Sequence, residues 1–241
     1  MNKEIVIAAY DKDLSWLSTI DDNIKKTIYR KGNYKLNDGE IKLANVGRDV
    51  HTFFNHLYLN YDNLSDITFF VQDYPFDHWE DLIDVINNDT WVEQCAINIG
   101  GYYGFHFNTN QPNTPINLKM SDGSPTQITV GMMWGLSPSQ QFDSGNVLVC
   151  NRDGTPQDTR FLNSMNLDDS WNMFFNGTPP TYYEFVPGGH FGVTQEQVHL
   201  RDKEFYKKII DILETDINSP WVIERLECYL FNPQFIEYDN N

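Results

Sequence analysis

Apolar positions follow two different spacings along this chain, and each change of spacing predicts a new element. Residues 4–9 form a short apolar run that ends in Asp11 and Asp13. A run of this length, bounded by polar residues, reads as a strand buried on both faces. Leu14, Trp16, Leu17, Ile20, Ile24 and Ile28 then keep roughly helical spacing and predict a helix. Residues 27–30 read as a second short strand closed by Gly32, and residues 33–38 as a loop. Val46-Gly47-Arg48-Asp49 opens the clearest helix, with Val50, Phe53, Phe54, Leu57 and Tyr58 at i, i+3, i+4, i+7 and i+8. Asp49 suits the positive end of its dipole, while Arg48, His51 and Asn55 fall along a different face. A third strand, residues 67–72, is followed by a helix that turns Trp79, Leu82, Ile83 and Ile86 inward. Strand alternating with helix is the signature of an α/β sheet with crossover connections.

From residue 90 to 165 the helical spacing is lost. Asn, Gly, Pro, Ser, Thr and Gln dominate, with aromatics scattered among them, as in GGYYGFHFNTNQPNTP. Short strands are expected at 97–99, 127–130 and 147–150, joined by long loops. Such an insertion either grips a substrate or decorates the core. Regular patterning returns with a helix start at Asp168-Asp169-Ser170-Trp171 and a strand at 182–186. The turn PGGHFGV leads into a further short strand, and Thr194 and Gln197 have the spacing of a capping box. Residues 203–213 predict an amphipathic helix bearing Phe205, Ile209, Ile212 and Leu213. Ser219-Pro220 predicts an N-cap with proline at the first helical position, opening a last helix through Trp221, Leu226 and Leu230. The whole reads as one domain: 1–89, a loop-rich insertion 90–165, and 166–241.

Composition narrows the function classes. At 241 residues and 40% hydrophobic, the chain can bury a full core. Its formal net charge of -17 repels phosphate backbones, which argues against nucleic-acid binding by a broad basic surface. A small basic pocket for one diphosphate remains compatible with it. Cys95, Cys150 and Cys228 match neither a disulfide framework nor a zinc spacing, so reduced thiols are expected. The first apolar run is too short for a signal peptide or a membrane span, and no stretch approaches twenty apolar residues. A soluble, cytoplasmic protein is expected, or one of the host cytosol if the source is viral.

No GxGxxG, Walker loop, GxSxG, HExxH or CxxC pair occurs. Four polar clusters remain, each open to a purely structural reading. Asp11 and Asp13 follow the first strand, where open α/β sheets bind ligands; they also suit an ordinary polar turn. Arg48 and His51 stand at a helix start, where a guanidinium adds to the anion-attracting dipole; a surface salt bridge is the alternative. In VQDYPFDHW, Asp73, Asp77 and His78 leave a buried strand together. Two hard oxygens and an imidazole suit Mn or Mg with a diphosphate, and a turn with a helix cap needs the same residue types. PGGHFGV, with Glu184 before it and Arg201 after it, offers Gly189 for close backbone approach and an accessible His190, or simply a tight bend. Glu224-Arg225 on the last helix adds one candidate base and one candidate diphosphate clamp.

The blocks IVIAAYDKDLSWL, YRKG, NVGRDVHTFFNHLYLNYDNLSDITFFVQDYPFDH, PGGHFGVTQEQVHLRDKEFYKKI and ERLECYLF occur in this order. Together they resemble a family known from fungi, bacteria and large viruses and classed as a domain of unknown function. That family is similar to glycosyltransferases of the GT-A type. The resemblance implies a GT-A-like mixed sheet flanked by helices, with residues 1–89 as the nucleotide-binding half and 166–241 as the acceptor side. It implies a nucleotide-sugar donor, a glycan or other hydroxyl acceptor, and Mn or Mg held after a central strand. Here that strand ends in Asp73-Tyr74-Pro75 and not in D-x-D. Transferases of this general fold that lack the metal neutralise the diphosphate with Arg or Lys, a role open to Arg48, Arg201 and Arg225. On this reading Asp77 or Glu224 deprotonates the acceptor, Asp73 and His78 bind metal or diphosphate, and Asp11, Asp13, Arg48, His51, Gly189 and His190 complete the substrate site. Two rival readings are a carbohydrate-binding protein that stacks sugars on Tyr102, Tyr103 and Phe105, and a metal-dependent hydrolase built on Asp73, Asp77 and His78.

Overall fold

A computed structural model describes residues 1–77, 79, 82–88, 115–119, 125–129, 167–175, 190–217 and 219–231. The three apolar runs form strands β1 (Lys3–Ala9), β2 (Lys25–Arg30) and β4 (Ile67–Gln72). A two-residue strand, β3 (Ile41–Lys42), and β7 (Phe191–Thr194) complete a five-stranded sheet of order β3-β2-β1-β4-β7. β1 runs parallel to both β2 and β4, β2 runs parallel to β3, and β7 pairs antiparallel with β4. The chain is α/β, as expected, and the sheet is mixed. The strand expected at 127–130 is β6 (Pro125–Thr129), paired antiparallel with β5 (Pro115–Lys119) in a separate two-stranded sheet. The strands expected at 97–99, 147–150 and 182–186 lie outside the described residues.

Residues 5–9 of β1 and most of β4 are apolar because both faces of the sheet are covered. Val6, Ala8 and Phe70 face α1 (Arg48–Leu59), α5 (Lys203–Thr215) and α6 (Ser219–Leu230). Ile5, Ile7, Phe69 and Val71 face Leu17, Ile20, Trp79 and α2 (Leu82–Asn87). Two shorter helices, α3 (Leu167–Phe174) and α4 (Gln195–Val198), join the first layer. Thr194 caps α4 with a complete capping box: its hydroxyl accepts from Gln197 N–H at 3.1 Å, and the Gln197 side-chain Oε1 accepts from Thr194 N–H at 3.0 Å.

Three expectations change. The helix expected from Leu14 to Ile28 is a single 3-10 turn, Ser15–Thr19. Pairing with β1 begins at Glu4↔Lys25 and draws Ile28 into β2, so tertiary pairing overrides local spacing. The helix expected from Trp79 starts at Leu82; Pro75 first imposes a 3-10 turn, Pro75–Asp77, with Trp79 buried just after it. At α6 the capping side chain comes from Asp216, which accepts the Ser219 N–H at 2.9 Å, and Ser219 is already the first helical residue.

At the amino ends of the strands a polar cluster is sealed inside. Glu4 is fully buried and accepts from Thr27 Oγ1 at 2.6 Å and Ser65 Oγ at 3.2 Å, with Lys25 Nζ at 3.0 Å. Buried His56 receives Tyr29 OH (3.2 Å) and Asn60 Nδ2 (3.3 Å) at Nδ1. Asn60 is a donor there, so the ring proton belongs on Nε2, which faces Glu4 Oε1 at 3.6 Å. Burial, opposed by Glu4, pulls His56 down to about 4. Its folded value lies below the unfolded 6.5, so the stability it contributes is complete above pH 6.5 and is lost as pH falls through 4. The melting temperature should therefore drop between pH 6.5 and 4, and the drop should be shallower in His56→Gln; parallel curves across that window would show that His56 is not the titrating group.

Candidate functional site

The chain leaves β1 for β2 on one side and later returns through α1 to β4 on the other. The carboxyl ends of β1 and β4 thus mark the point where the connections diverge, the place where open α/β sheets bind ligands. A cleft of about 290 Å³ opens there. Ala8 and Tyr10 line it from β1 and the following loop, Gln72 and Asp73 from the end of β4, and Lys31 from the end of β2. Asn45, Arg48 and Asp49 line it from the approach to α1.

Asp73 organises one wall. Its Oδ2 accepts three consecutive backbone N–H groups, Tyr10 (2.9 Å), Asp11 (3.1 Å) and Lys12 (3.1 Å). Its carbonyl accepts from Trp16 Nε1 at 2.8 Å. The strand-end carboxylate thereby ties the loop after β1 to the end of β4. Tyr10 then meets Tyr34 edge-on, with centroids 5.5 Å apart, and both rings are exposed at the mouth. Gly32, at φ +76°, leaves room for them: a Cβ there would come within 2.9 Å of the Tyr10 ring.

Lys31 and the start of α1 form the opposite wall. Lys31 is 4% exposed, and its Nζ donates to the carbonyls of Val46 (2.6 Å) and Arg48. Burial pulls it down to about 8, against the attraction of Asp49 and with a further push from Arg48. The two carbonyls belong to a left-handed turn in which Gly47 has φ +56° and Arg48 φ +52°. A Cβ on Gly47 would lie 2.9 Å from the Leu213 carbonyl, so this turn also sets how closely α1 approaches α5. The N-cap of α1 is Gly47, which has no side chain to offer its amide groups. The Arg48 guanidinium is exposed and lies 5.1 Å from the Trp221 ring centroid, held by a cation–π contact. Asp49 is bonded at both oxygens, to Val50 N–H (3.1 Å) and to Gln72 Nε2.

The other candidates separate. Asp11 is exposed and contributes its N–H to Asp73. Asp13 is exposed and starts the 3-10 turn: its carboxylate accepts the Ser15 N–H at 3.1 Å and the Ser15 hydroxyl, and the hydroxyl bond holds it below its usual range. His51 is buried behind the cleft, with Nε2 at 3.2 Å from Glu214 and 2.9 Å from Asn55, and burial lowers its pKa. His190 was expected to be accessible and is buried; β4–β7 pairing ends at Phe70↔Phe191, and His190 Nε2 takes the next backbone N–H, from Gln72, at 3.3 Å. Arg201 is remote. It is buried over Phe205 (4.7 Å) and Phe175 (5.6 Å), and its carbonyl accepts from Tyr61, beyond the far end of α1, a helix about 18 Å long. Glu224 is half-buried on α6, one turn past Trp221. Asp77 closes the 3-10 turn after β4. The side chains of Asp77 and Arg225, and the whole of His78, Gly189, Tyr102, Tyr103 and Phe105, lie outside the described residues.

For a divalent cation the described donors are a poor fit. Among the described residues no three Asp, Glu, His or Cys side chains converge, and Asp73 Oδ2 is spent on backbone N–H groups.

Residues 5–239 match the family described as protein of unknown function (DUF3431). The chain belongs to this family. No curated protein and no solved structure matches it. No helix among the described residues is long and apolar enough to cross a membrane.

Sequence reasoning overlooked Lys31, Gln72 and Tyr10. A local charge count points to Lys31: residues 25–48 hold seven of the chain's 17 Lys and Arg but only two of its 34 Asp and Glu. The clamp at Asp73 gives a direct test. Asp73→Ala loses an acceptor for three N–H groups and should lower stability by about 2 kcal/mol, whereas Asp73→Asn keeps an acceptor oxygen and should lose less than half of that in urea unfolding. Equal losses would assign the effect to the charge.

Proposed function

We propose that the protein takes a nucleotide sugar into this cleft and transfers the sugar to a hydroxyl acceptor. The carrying observation is the cleft's position at the switch point, with Lys31 and Arg48 beside the amino end of α1 in a chain of net charge -17. A strongly acidic protein that keeps two cations at one strand-end cleft has a use for an anion there. The strand order β3-β2-β1-β4 and the resemblance to GT-A transferases support the same ligand class.

In this reaction the bond between the anomeric carbon and the diphosphate oxygen breaks, and its electron pair leaves with the diphosphate. The acceptor oxygen bonds to that carbon, and its proton passes to a carboxylate, for which Asp77 and Glu224 are the candidates. Lys31 and Arg48 stabilise the charge that develops on the leaving group. Mn or Mg, if bound, would depend on Asp77 and His78 for its ligands and would stabilise the leaving diphosphate.

Thermal stability with a panel of nucleotides and nucleotide sugars, each with and without Mn, tests the reading. Ligand binding to the native state raises the melting temperature. One nucleotide class should give a shift, and the matching nucleotide sugar should be consumed in the presence of a hydroxyl acceptor. Asp77→Ala and Glu224→Ala, assayed separately, should identify the base by a loss of at least a hundredfold in transfer. Shifts with free sugars or glycans and with no nucleotide would replace this reading with that of a carbohydrate-binding protein.

A further inference from the structure

We infer that Lys31, Arg48 and the amino end of α1 form a subsite for a diphosphate, and that Lys31 binds it directly while holding the left-handed turn at Gly47–Arg48 in place. Of the reading above, this takes over only the diphosphate as the anion; it does not require sugar transfer.

The hydrogen-bond count of Lys31 carries the inference. An ammonium has three N–H donors. Two go to the carbonyls of Val46 and Arg48, and the third has no acceptor among the described residues, although the residue is buried and lines the cleft. A buried charge with an unspent donor is a costly arrangement unless a ligand completes it. The depressed pKa of about 8 reports the same deficit, since desolvation outweighs the neighbouring Asp49. At pH 7 the group still carries its proton, so it enters the cleft as a poorly solvated cation.

Arg48 supplies the second group. Its guanidinium stacks on Trp221 and has no hydrogen-bond partner among the described residues, leaving its donors available. The amino end of α1 adds a favourable dipole; its N-cap, Gly47, has no side chain, and Asp49 accepts the Val50 N–H. The two carboxylates in the cleft oppose an anion less than their formal charge suggests. Asp49 is bonded at both oxygens and Asp73 Oδ2 accepts three N–H groups. Tyr10 and Tyr34 stand at the exposed mouth, so the rest of the ligand would extend from the cationic wall towards them.

Because Lys31 ties the turn that positions Arg48, the two cations act as one unit. A merely structural Lys31 would change anion affinity only through Arg48, and its own Nζ resonance would not respond to the anion. The two roles separate in experiment.

Inorganic pyrophosphate is titrated calorimetrically into the full chain at pH 7, alongside the nucleoside diphosphates. Wild type should bind pyrophosphate, Lys31→Gln should weaken binding at least tenfold, and Lys31→Arg should restore most of it. Arg48→Gln, at an exposed position, should weaken binding severalfold without lowering the melting temperature. Should Lys31→Gln fail to fold, the wild-type chain with 15N-labelled lysine decides: pyrophosphate should shift one Nζ resonance, that of the lysine titrating near pH 8, and raise its pKa. Absence of pyrophosphate binding, or unchanged affinity in folded Lys31→Gln, or no Nζ shift, overturns the subsite. Sugar transfer that persists with unchanged Lys31→Gln affinity overturns the subsite and leaves the transferase reading intact. Pyrophosphate binding lost in Lys31→Gln with no nucleotide sugar consumed does the reverse.

Discussion

β1 has neither a free edge nor a free face, and the rest of the molecule is arranged around that burial. β2 and β4 flank it in parallel, and helices and turns cover both sides. Three parallel strands put their carboxyl ends along one edge of the sheet. The connections leave β1 in opposite directions, so that edge cannot be closed by short hairpins and a cleft remains. The position of the candidate site thus follows from how the hydrophobic core is satisfied.

Polar groups at the two ends of the same strands do opposite work. At the amino ends Glu4, Thr27, Ser65 and His56 are sealed inside, and burial leaves His56 neutral through most of the pH range. That cluster fastens β1, β2 and α1 together. At the carboxyl ends the groups stay accessible from the cleft. Asp73 fastens a loop and sets one wall, while Lys31 fastens a turn and keeps a donor in reserve. Arg30 belongs to the fastening set: its Nε donates to Glu40 at 3.2 Å, and that bond holds Glu40 down to about 2. Adjacent residues at the end of β2 therefore divide the labour, Arg30 bracing the loop to β3 and Lys31 facing the cleft.

In the VQDYPFDHW stretch, the residue that closes the buried strand serves the fold. Asp73 looks from sequence like a metal or diphosphate ligand, since a carboxylate at a strand end is well placed for either. In the fold its Oδ2 is an acceptor for three backbone N–H groups, a role that uses the same charge and the same place but needs a loop more than sixty residues distant in sequence. Pro75 does shape the turn, and Trp79 behind it is core.

The sequence by itself determined the alternation of strands and helices, the amphipathic faces of α1 and α5, the capping box at Thr194 and the strand-end location of the polar residues. These depend on spacing within a dozen residues, so periodicity and capping chemistry suffice to read them. The tertiary structure decided which strands are neighbours, that residues 14–28 split into a 3-10 turn and β2, that His190 and Arg201 are buried, and that Lys31 and Arg48 share a wall of the cleft. Each of these depends on desolvation or on pairing between segments far apart in the chain, and no local pattern encodes which distant partner a residue will meet.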